Sequence, residues 1–345
     1  MKKIVWTDVN QVKIVEEPIP VPGPGQAVIR ILYAGICGSD LHVFSGLHPT
    51  AKPPMVLGHE AVGVLHAINS GRTDVKPGDL VCTHTVEPCH NCEGCSTGRE
   101  NLCDNVKIMG TNLDGIFTQY ICVSADRVIR FDDNVDVKIA ALVEPLTVAV
   151  HDVRRSGLRL GETVLIGGAG PIGLIIAMTC KFAGASNVLL SEIDPIRIKM
   201  ARDLGFTVAN PMEAEEFEAA CNAATHGRGF DRAFEITSAQ SSFTNLLLHL
   251  KKGGVLIQVG MPPKGTQFKV DLDKLIYSEC EVRGVRHHTM NDMQQAASII
   301  NSGVMNDTLK HLVTAEYPLE ECLDAFMRAK NDKTMLRVLI KFAED

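Results

Sequence analysis

The sequence predicts an α/β protein of two domains: a β-rich, barrel-like domain, then a doubly wound parallel sheet. Three observations carry that expectation. The chain has 345 residues, the length of two ordinary domains. Up to about residue 125, short strand-like runs are broken by Pro and Gly. From Gly157 onward, strand and helix patterns alternate, which requires a parallel sheet with helices on its faces.

The elements follow in order. The first part predicts strands over Ala27–Leu32, Gly63–Ile68, Asp79–Thr83 and Phe117–Val123. The second predicts a strand over Thr163–Ile166, a turn over Gly168–Gly173 and a helix over Pro171–Phe182. A strand over Asn187–Ser191 and a helix over Asp194–Leu204, with Pro195 near its start, come next. Then strand, helix and strand are expected over Phe230–Ile236, Thr244–Lys251 and Val255–Gly260. The last part predicts helices over Asp292–Ser302 and Leu319–Lys330 and a strand over Met335–Phe342. No internal repeat or low-complexity segment interrupts this order.

Composition narrows the function. Hydrophobic residues make up 45 % and charged residues 22 %, which excludes a disordered chain. The net charge of −7 argues against nucleic acid or an anionic membrane as the main partner. Thr163–Cys180 is uncharged, but its four glycines and Pro171 point to strand, turn and buried helix rather than a membrane span. Lys2 and Lys3 are followed too soon by Asp8 for a signal peptide, so a soluble, cytoplasmic protein is expected.

Eleven cysteines are many for such a chain, and in a reducing compartment clustered cysteines suggest metal. Four of them run Cys89-x2-Cys92-x2-Cys95-x7-Cys103, a spacing that folds four thiolates around one ion. Tetrahedral sulfur coordination suits structural Zn²⁺, although iron–sulfur clusters use similar runs. Cys82, Cys122, Cys180, Cys221, Cys280 and Cys322 show no such grouping, and Cys122, Cys180 and Cys280 read as small core residues. Cys37 follows a strand-like run, and Gly58-His59-Glu60 comes later. One thiol, one imidazole and one carboxylate from separate segments suit a catalytic zinc that keeps an open position.

The turn Gly168-Ala-Gly170-Pro171-Ile172-Gly173 follows a predicted strand and opens a predicted helix. Glu192 ends the next strand, 19 residues past Gly173. Such a turn lets backbone approach a pyrophosphate at a helix N-terminus, and the acid can accept the ribose hydroxyls.

Taken together, the motifs Gly35-Ile-Cys-Gly-Ser-Asp40, Gly58-His-Glu60, the four-cysteine loop, Val143-Glu-Pro-Leu146, Gly168–Gly173 and Gly253–Gly260 resemble the zinc-dependent medium-chain alcohol dehydrogenases, above all their sorbitol (polyol) branch. The resemblance covers essentially the whole chain. It implies a GroES-like catalytic domain from residues 1–150 and 287–345, with a Rossmann NAD-binding domain at 151–286 inserted between them. It also implies two zincs per chain. A structural one would sit on Cys89, Cys92, Cys95 and Cys103; a catalytic one on Cys37, His59 and a glutamate, either Glu60 or Glu144. Ser39 and His42 would pass the substrate proton to water. NAD would contact Gly168, Gly170, Pro171, Ile172, Gly173, Glu192, Arg197, Val259, Gly260, Met261, Val285, Arg286 and His287. The charge of Glu192 would repel the extra phosphate of NADP.

The implied reaction moves a hydride from a secondary alcohol of a polyol, cyclitol or sugar-acid derivative to NAD⁺, giving the ketone. Homodimers or homotetramers are implied too. The sequence departs from the polyol pattern at Val43, where a tyrosine is common, and at Arg286-His287-His288, where an Arg-Tyr pair would fall. An arginine beside two histidines could instead meet a carboxylate or phosphate, so threonine or butanediol dehydrogenase is the alternative.

Overall fold

The computed structural model describes residues 1–48 and 51–343. The chain divides into two compact units, Met1–Thr147 with His287–Asp345, and Val148–Arg286.

The first unit is built on a seven-stranded sheet whose central strand is Gln26–Gly35. Along one edge this strand pairs antiparallel with Glu60–Asn69, which leads on to Leu80–Thr83 and Val128–Arg130. Its other edge is shared. Residues 26–30 pair with Tyr120–Ser124, and residues 33–35 pair with Arg337–Lys341 from the end of the chain. A three-stranded sheet of Gln11–Glu16, Lys2–Asp8 and Met55–Val56 lies in the same unit. The core collects apolar side chains of both sheets and of the helix Cys322–Asn331, among them Trp6, Ile29, Leu65 and Phe326. The Phe117 ring is fully buried, 5.6 Å from the Phe326 ring and 6.5 Å from that of Phe342. Burying a ring of this size stabilises by about 2–3 kcal/mol. Gly58 faces it with φ +92°, and a Cβ there would stand 2.7 Å from the ring, so the residue before His59 has to be glycine.

The second unit holds a six-stranded parallel sheet in the order Thr207–Ala209, Asn187–Ser191, Thr163–Gly167, Phe230–Glu235, Leu250–Gln258, Glu281–Gly284. The chain works outward first on one side and then on the other. The strand order therefore reverses between Thr163–Gly167 and Phe230–Glu235, where doubly wound sheets of the Rossmann type bind nucleotides. Leu165, Leu189, Phe230, Phe243, Leu246 and Leu256 form its core.

Several elements differ from their sequence-based bounds. Leu250 and Lys251, expected to end a helix, open a strand, because Leu250 pairs with Phe230 while the helix Gln240–Leu248 stops before it. The strand expected from Phe117 starts at Tyr120; the backbone N–H of Phe117 donates to Leu57 O instead. Leu319–Glu321 is a 3₁₀ turn leading into the helix at Cys322, and the final strand is only Arg337–Lys341. Cys180 is buried as expected, but Cys122 and Cys280 are partly exposed. Cys122 alternates with the inward Val123, so strand periodicity turns it out. Cys280 sits at the bend between the helix Leu272–Ser278 and the edge strand Glu281–Gly284.

Candidate active site

Two strand ends and one short helix build the donor set of the first unit. Gly35 ends the central strand and pairs with Glu60, the first residue of its neighbour. Two residues on, Cys37 caps the helix Gly38–Phe44. Its backbone N–H donates to Asp40 Oδ2 at 2.9 Å, while Asp40 Oδ1 accepts from the Gly58 N–H at 3.0 Å. The buried Asp40 therefore ties the Cys37 segment to the His59 segment. Its Oδ1 also lies 3.5 Å from His59 Nδ1, and Ser39 Oγ lies 3.4 Å from His59 Nε2.

The result is one Cys, one His and one Glu whose ligand atoms all lie within 4.8 Å of one another: Cys37, His59 and Glu60. His59 Nδ1 is buried without a hydrogen-bond partner. Three protein donors of mixed sulfur, nitrogen and oxygen type fit a zinc with one position left for substrate. Burial alone would lower the His59 pKa, but the Asp40 carboxylate and Cys37 beside it raise it well above its ordinary value. A metal on this ring therefore competes with a proton.

Glu60 is 1 % exposed, and both its oxygens accept from Arg337 Nη1, at 2.7 and 3.0 Å. Burial raises its pKa, and the attraction of Arg337 offsets this only in part. Arg337 is itself buried, with Nε and Nη2 lacking partners among the described residues. Glu144 stands in the first turn of the helix Val143–Ser156 and is 7 % exposed. It is not part of the three-residue group, but it feels the charges of His59 and Arg337. Burial would raise its pKa; the hydrogen bond from His288 and those charges hold it below the ordinary value.

The four cysteines also converge, their sulfurs within 4.8 Å of one another. Cys103 Sγ accepts from the N–H groups of Cys89 at 3.2 Å and Asn105 at 3.4 Å. N–H groups of Cys95 and Asp104 bring the Cys92 thiol down to about 6, whereas desolvation pushes Cys95 up to about 11. Backbone donors aimed at sulfur favour thiolates, and four thiolates fit a closed, structural zinc.

In the second unit the glycine turn leaves the strand Thr163–Gly167 at its C-terminal end and opens the helix Pro171–Phe182, with Gly170 as its cap. A Cβ on Gly173 would lie 2.0 Å from Gly168 O, so helix and turn approach as only glycine allows. Glu192 follows the neighbouring strand. Its Oε2 accepts from Ala169 N at 2.8 Å, and its Oε1 from Ile193 N at 2.8 Å and Asp194 N at 3.0 Å. Oε1 is thereby saturated, while Oε2 keeps one lone pair for a ribose hydroxyl. Arg197, on the helix Pro195–Asp203, brings Nη1 to 3.6 Å from where a Gly170 Cβ would stand.

The other expected contacts are scattered. Val259 and Gly260 both donate their N–H to Glu235 O at 2.9 Å, and Met261 beyond them is 81 % exposed. Val285 donates to Gln258 O. Arg286 is exposed and His287 half-buried with φ +50°. His288 turns inward and bonds to Glu144 and His84, so the run Arg286-His287-His288 does not act as one polar edge. His42 is exposed in the last turn of the helix that carries Ser39. Sequence reasoning gave no role to Asp40, Arg337, His84 or Arg127. Asp40 and Arg337 were invisible because a charged residue in a motif or strand announces its partner only once the register is known.

Residues 23–133 match the alcohol dehydrogenase GroES-like domain, and residues 171–302 the zinc-binding dehydrogenase domain. A sorbitol dehydrogenase of Bacillus subtilis is 33 % identical over 99 % of this chain and 97 % of its own length. An L-galactonate-5-dehydrogenase of Escherichia coli is 30 % identical over 99 % and 96 %. The crystal structure of an E. coli alcohol dehydrogenase complexed with NADH superposes with TM-score 0.90 at 26 % identity, covering 99 % of both chains. The chain belongs to the zinc-dependent medium-chain alcohol dehydrogenase family, in its sorbitol dehydrogenase-like branch. It is an oxidoreductase of the zinc-binding dehydrogenase type, with a GroES-like domain and a Rossmann domain.

Proposed function

We propose that the protein oxidises a secondary alcohol of a polyol, cyclitol or sugar-acid derivative to the ketone, with NAD⁺ as hydride acceptor. The observation that carries this reading is the convergent, partly buried donor set Cys37, His59 and Glu60, three ligands where a zinc takes four, so that one position is open to a substrate oxygen. Zinc held there would lower the pKa of an alcohol and act as Lewis acid toward the carbonyl formed. The alcohol carbon gives its hydride to the nicotinamide, and the hydroxyl proton leaves to water.

The chain's own groups serve each part. Ser39 Oγ, beside His59, receives the hydroxyl proton as it gives up its own. His42 lies three residues on, on the same helix face and in solvent, suited to hand that proton to water. Arg337 fixes Glu60, and Glu144, within reach of the charges of His59 and Arg337, would act on a zinc held there directly or through water. The turn Gly168–Gly173 presents backbone N–H groups to the pyrophosphate, and Glu192 accepts from the ribose through its Oε2. Arg197 lies on the adenosine side. The four cysteines hold the second, structural zinc.

A homodimer or homotetramer is supported by the exposed edge strand Glu281–Gly284 and by exposed Ile276 and Tyr277 just before it. A cytoplasmic place is supported by the eleven unpaired cysteines. No helix among the described residues is long and apolar enough to cross a membrane.

The test follows the absorbance of reduced nicotinamide with alditols, inositols, aldonates, L-threonine and 2,3-butanediol, with and without a chelator. Chelator-sensitive turnover of a polyol or sugar acid is expected. Efficient turnover of simple primary alcohols, with polyols and hydroxy acids inert, would overturn the substrate class.

A further inference from the structure

Five buried or half-buried polar residues of the first unit form an unbroken line. Glu100 lies inside the four-cysteine loop, in the turn Glu100–Leu102 just before Cys103. Its Oε2 stands 3.6 Å from Arg127 Nη2, and its Oε1 accepts from the Met290 N–H. Arg127 Nη1 donates to Val86 O and, at 2.6 Å, meets His84 Nδ1. His84 Nε2 lies 3.0 Å from His288 Nδ1, and His288 Nε2 lies 3.1 Å from Glu144 Oε1. His84 and His288 are 0 % and 2 % exposed, so water does not compete for these bonds.

The line has only one consistent direction. A guanidinium has donors and no acceptor, so His84 Nδ1 must accept. The proton of the neutral His84 ring is then on Nε2, which donates to His288 Nδ1. That leaves the His288 proton on Nε2, which donates to the Glu144 carboxylate. Reversing any link sets two donors or two acceptors face to face in a buried site, at the cost of an unmade hydrogen bond. Glu100 Oε1 is 3.9 Å from His84 Nδ1, too far to accept a proton from it. Backbone structure holds the first link. His84 and Arg127 are neighbours at the ends of paired strands, with the His84 N–H donating to Arg127 O at 3.0 Å.

We propose that Arg127, His84 and His288 are positioning residues for Glu144, holding its carboxylate in one orientation beside the Cys37–His59–Glu60 site through a one-way chain of hydrogen bonds that starts at Arg127, itself held by an ion pair with Glu100 on the four-cysteine loop. The proposal rests on the reading of Glu144 as a group that acts at the metal. Burial above all, and the Arg127 guanidinium beside it, drive the His84 pKa well below its ordinary value, in keeping with a neutral ring.

The first test needs no substitution. ¹⁵N spectra of the zinc-loaded protein with labelled histidine should show both His84 and His288 as Nε2–H tautomers; an Nδ1–H form of either overturns the proposal. The second compares His288→Leu, Arg127→Met, Arg127→Lys and Glu144→Gln in zinc- and cobalt-loaded enzyme. His288→Leu should lower kcat at least tenfold with KM within about twofold, and shift the visible spectrum of cobalt at the catalytic site. Arg127→Met should do the same more weakly, and Arg127→Lys, still a pure donor, should restore most of the loss. Full metal content with unchanged kcat and cobalt spectrum in His288→Leu and Arg127→Met, while Glu144→Gln is impaired, overturns the chain alone. Unchanged kcat and spectrum in Glu144→Gln overturns the reading of Glu144 beneath it.

Discussion

The two donor clusters of the first unit are assembled in opposite ways. The four-cysteine loop draws all its ligands from Cys89–Cys103, and backbone N–H groups of the same loop point at its sulfurs. Cys37, His59 and Glu60 come from two segments joined by strand pairing, by Asp40 and by the Ser39–His59 contact, and their charges are balanced by Arg337 from the last strand. The first is a local fold around an ion; the second is a product of the whole domain. A local cluster should fail by losing structure when its metal is lost. A distributed one should lose chemistry and keep its structure, because hydrogen bonds and pairing already hold its residues in place.

The largest effect that would sharpen this contrast is on turnover. Cys37→Ala or His59→Ala should reduce kcat by more than the 10–100-fold typical of outer-shell partners, while NAD⁺ binding, measured by calorimetry, persists. Near-normal activity in Cys37→Ala would break the comparison at its distributed end. Next comes Cys103→Ala, which should lose one of about two zincs per chain and lower the melting temperature by several degrees. Metal content and stability equal to the parent protein would break it at the local end. A smaller change is expected in the second unit: Glu192→Ala should narrow the preference for NAD⁺ over NADP⁺, read from kcat/KM with each cofactor. A preference for NADP⁺ in the parent protein would contradict that role.

The smallest is a control on folding away from both clusters. Burial would raise the Asp231 pKa, but the ion pair with Lys251 and bonds from Thr163 N and Oγ1, both 2.9 Å, hold it below the ordinary value. A lowered native pKa means stability that is present above the unfolded value and lost as pH falls through the native one. Asp231→Asn should therefore cost about 1 kcal/mol at neutral pH and nothing in strong acid, by denaturant titration. A cost independent of pH would show that the residue acts only through shape.

What could be read from the sequence follows the same division. The helix Pro171–Phe182 and the strand Asn187–Ser191 were legible to the residue, because proline, glycine and an unbroken apolar run mark their ends. The cysteine spacing disclosed the loop. Short strands such as Thr207–Ala209 and Glu281–Gly284 left no pattern, since three or four residues cannot show a period. The helix Ala214–Thr225 was overlooked for another reason: of its side chains only Phe217, Cys221 and Thr225 are buried, a stripe too sparse to stand out. Glu60 and Arg337 are 277 residues apart and meet only because the last strand inserts beside Gln26–Gly35. His84 and Arg127 likewise depend on the pairing of Thr83 with Val128.

Glu192 has a thermodynamic consequence. Its three bonds to the N–H groups of Ala169, Ile193 and Asp194 pin the glycine turn and the end of the next strand to each other before any nucleotide arrives. The conformational entropy of ordering this turn is thus lost during folding instead of during association. Calorimetry of nucleotide binding should accordingly show little entropic penalty from the turn. Removing the carboxylate should weaken binding twice over, once through the ribose and once through a turn that must then be ordered by the ligand itself.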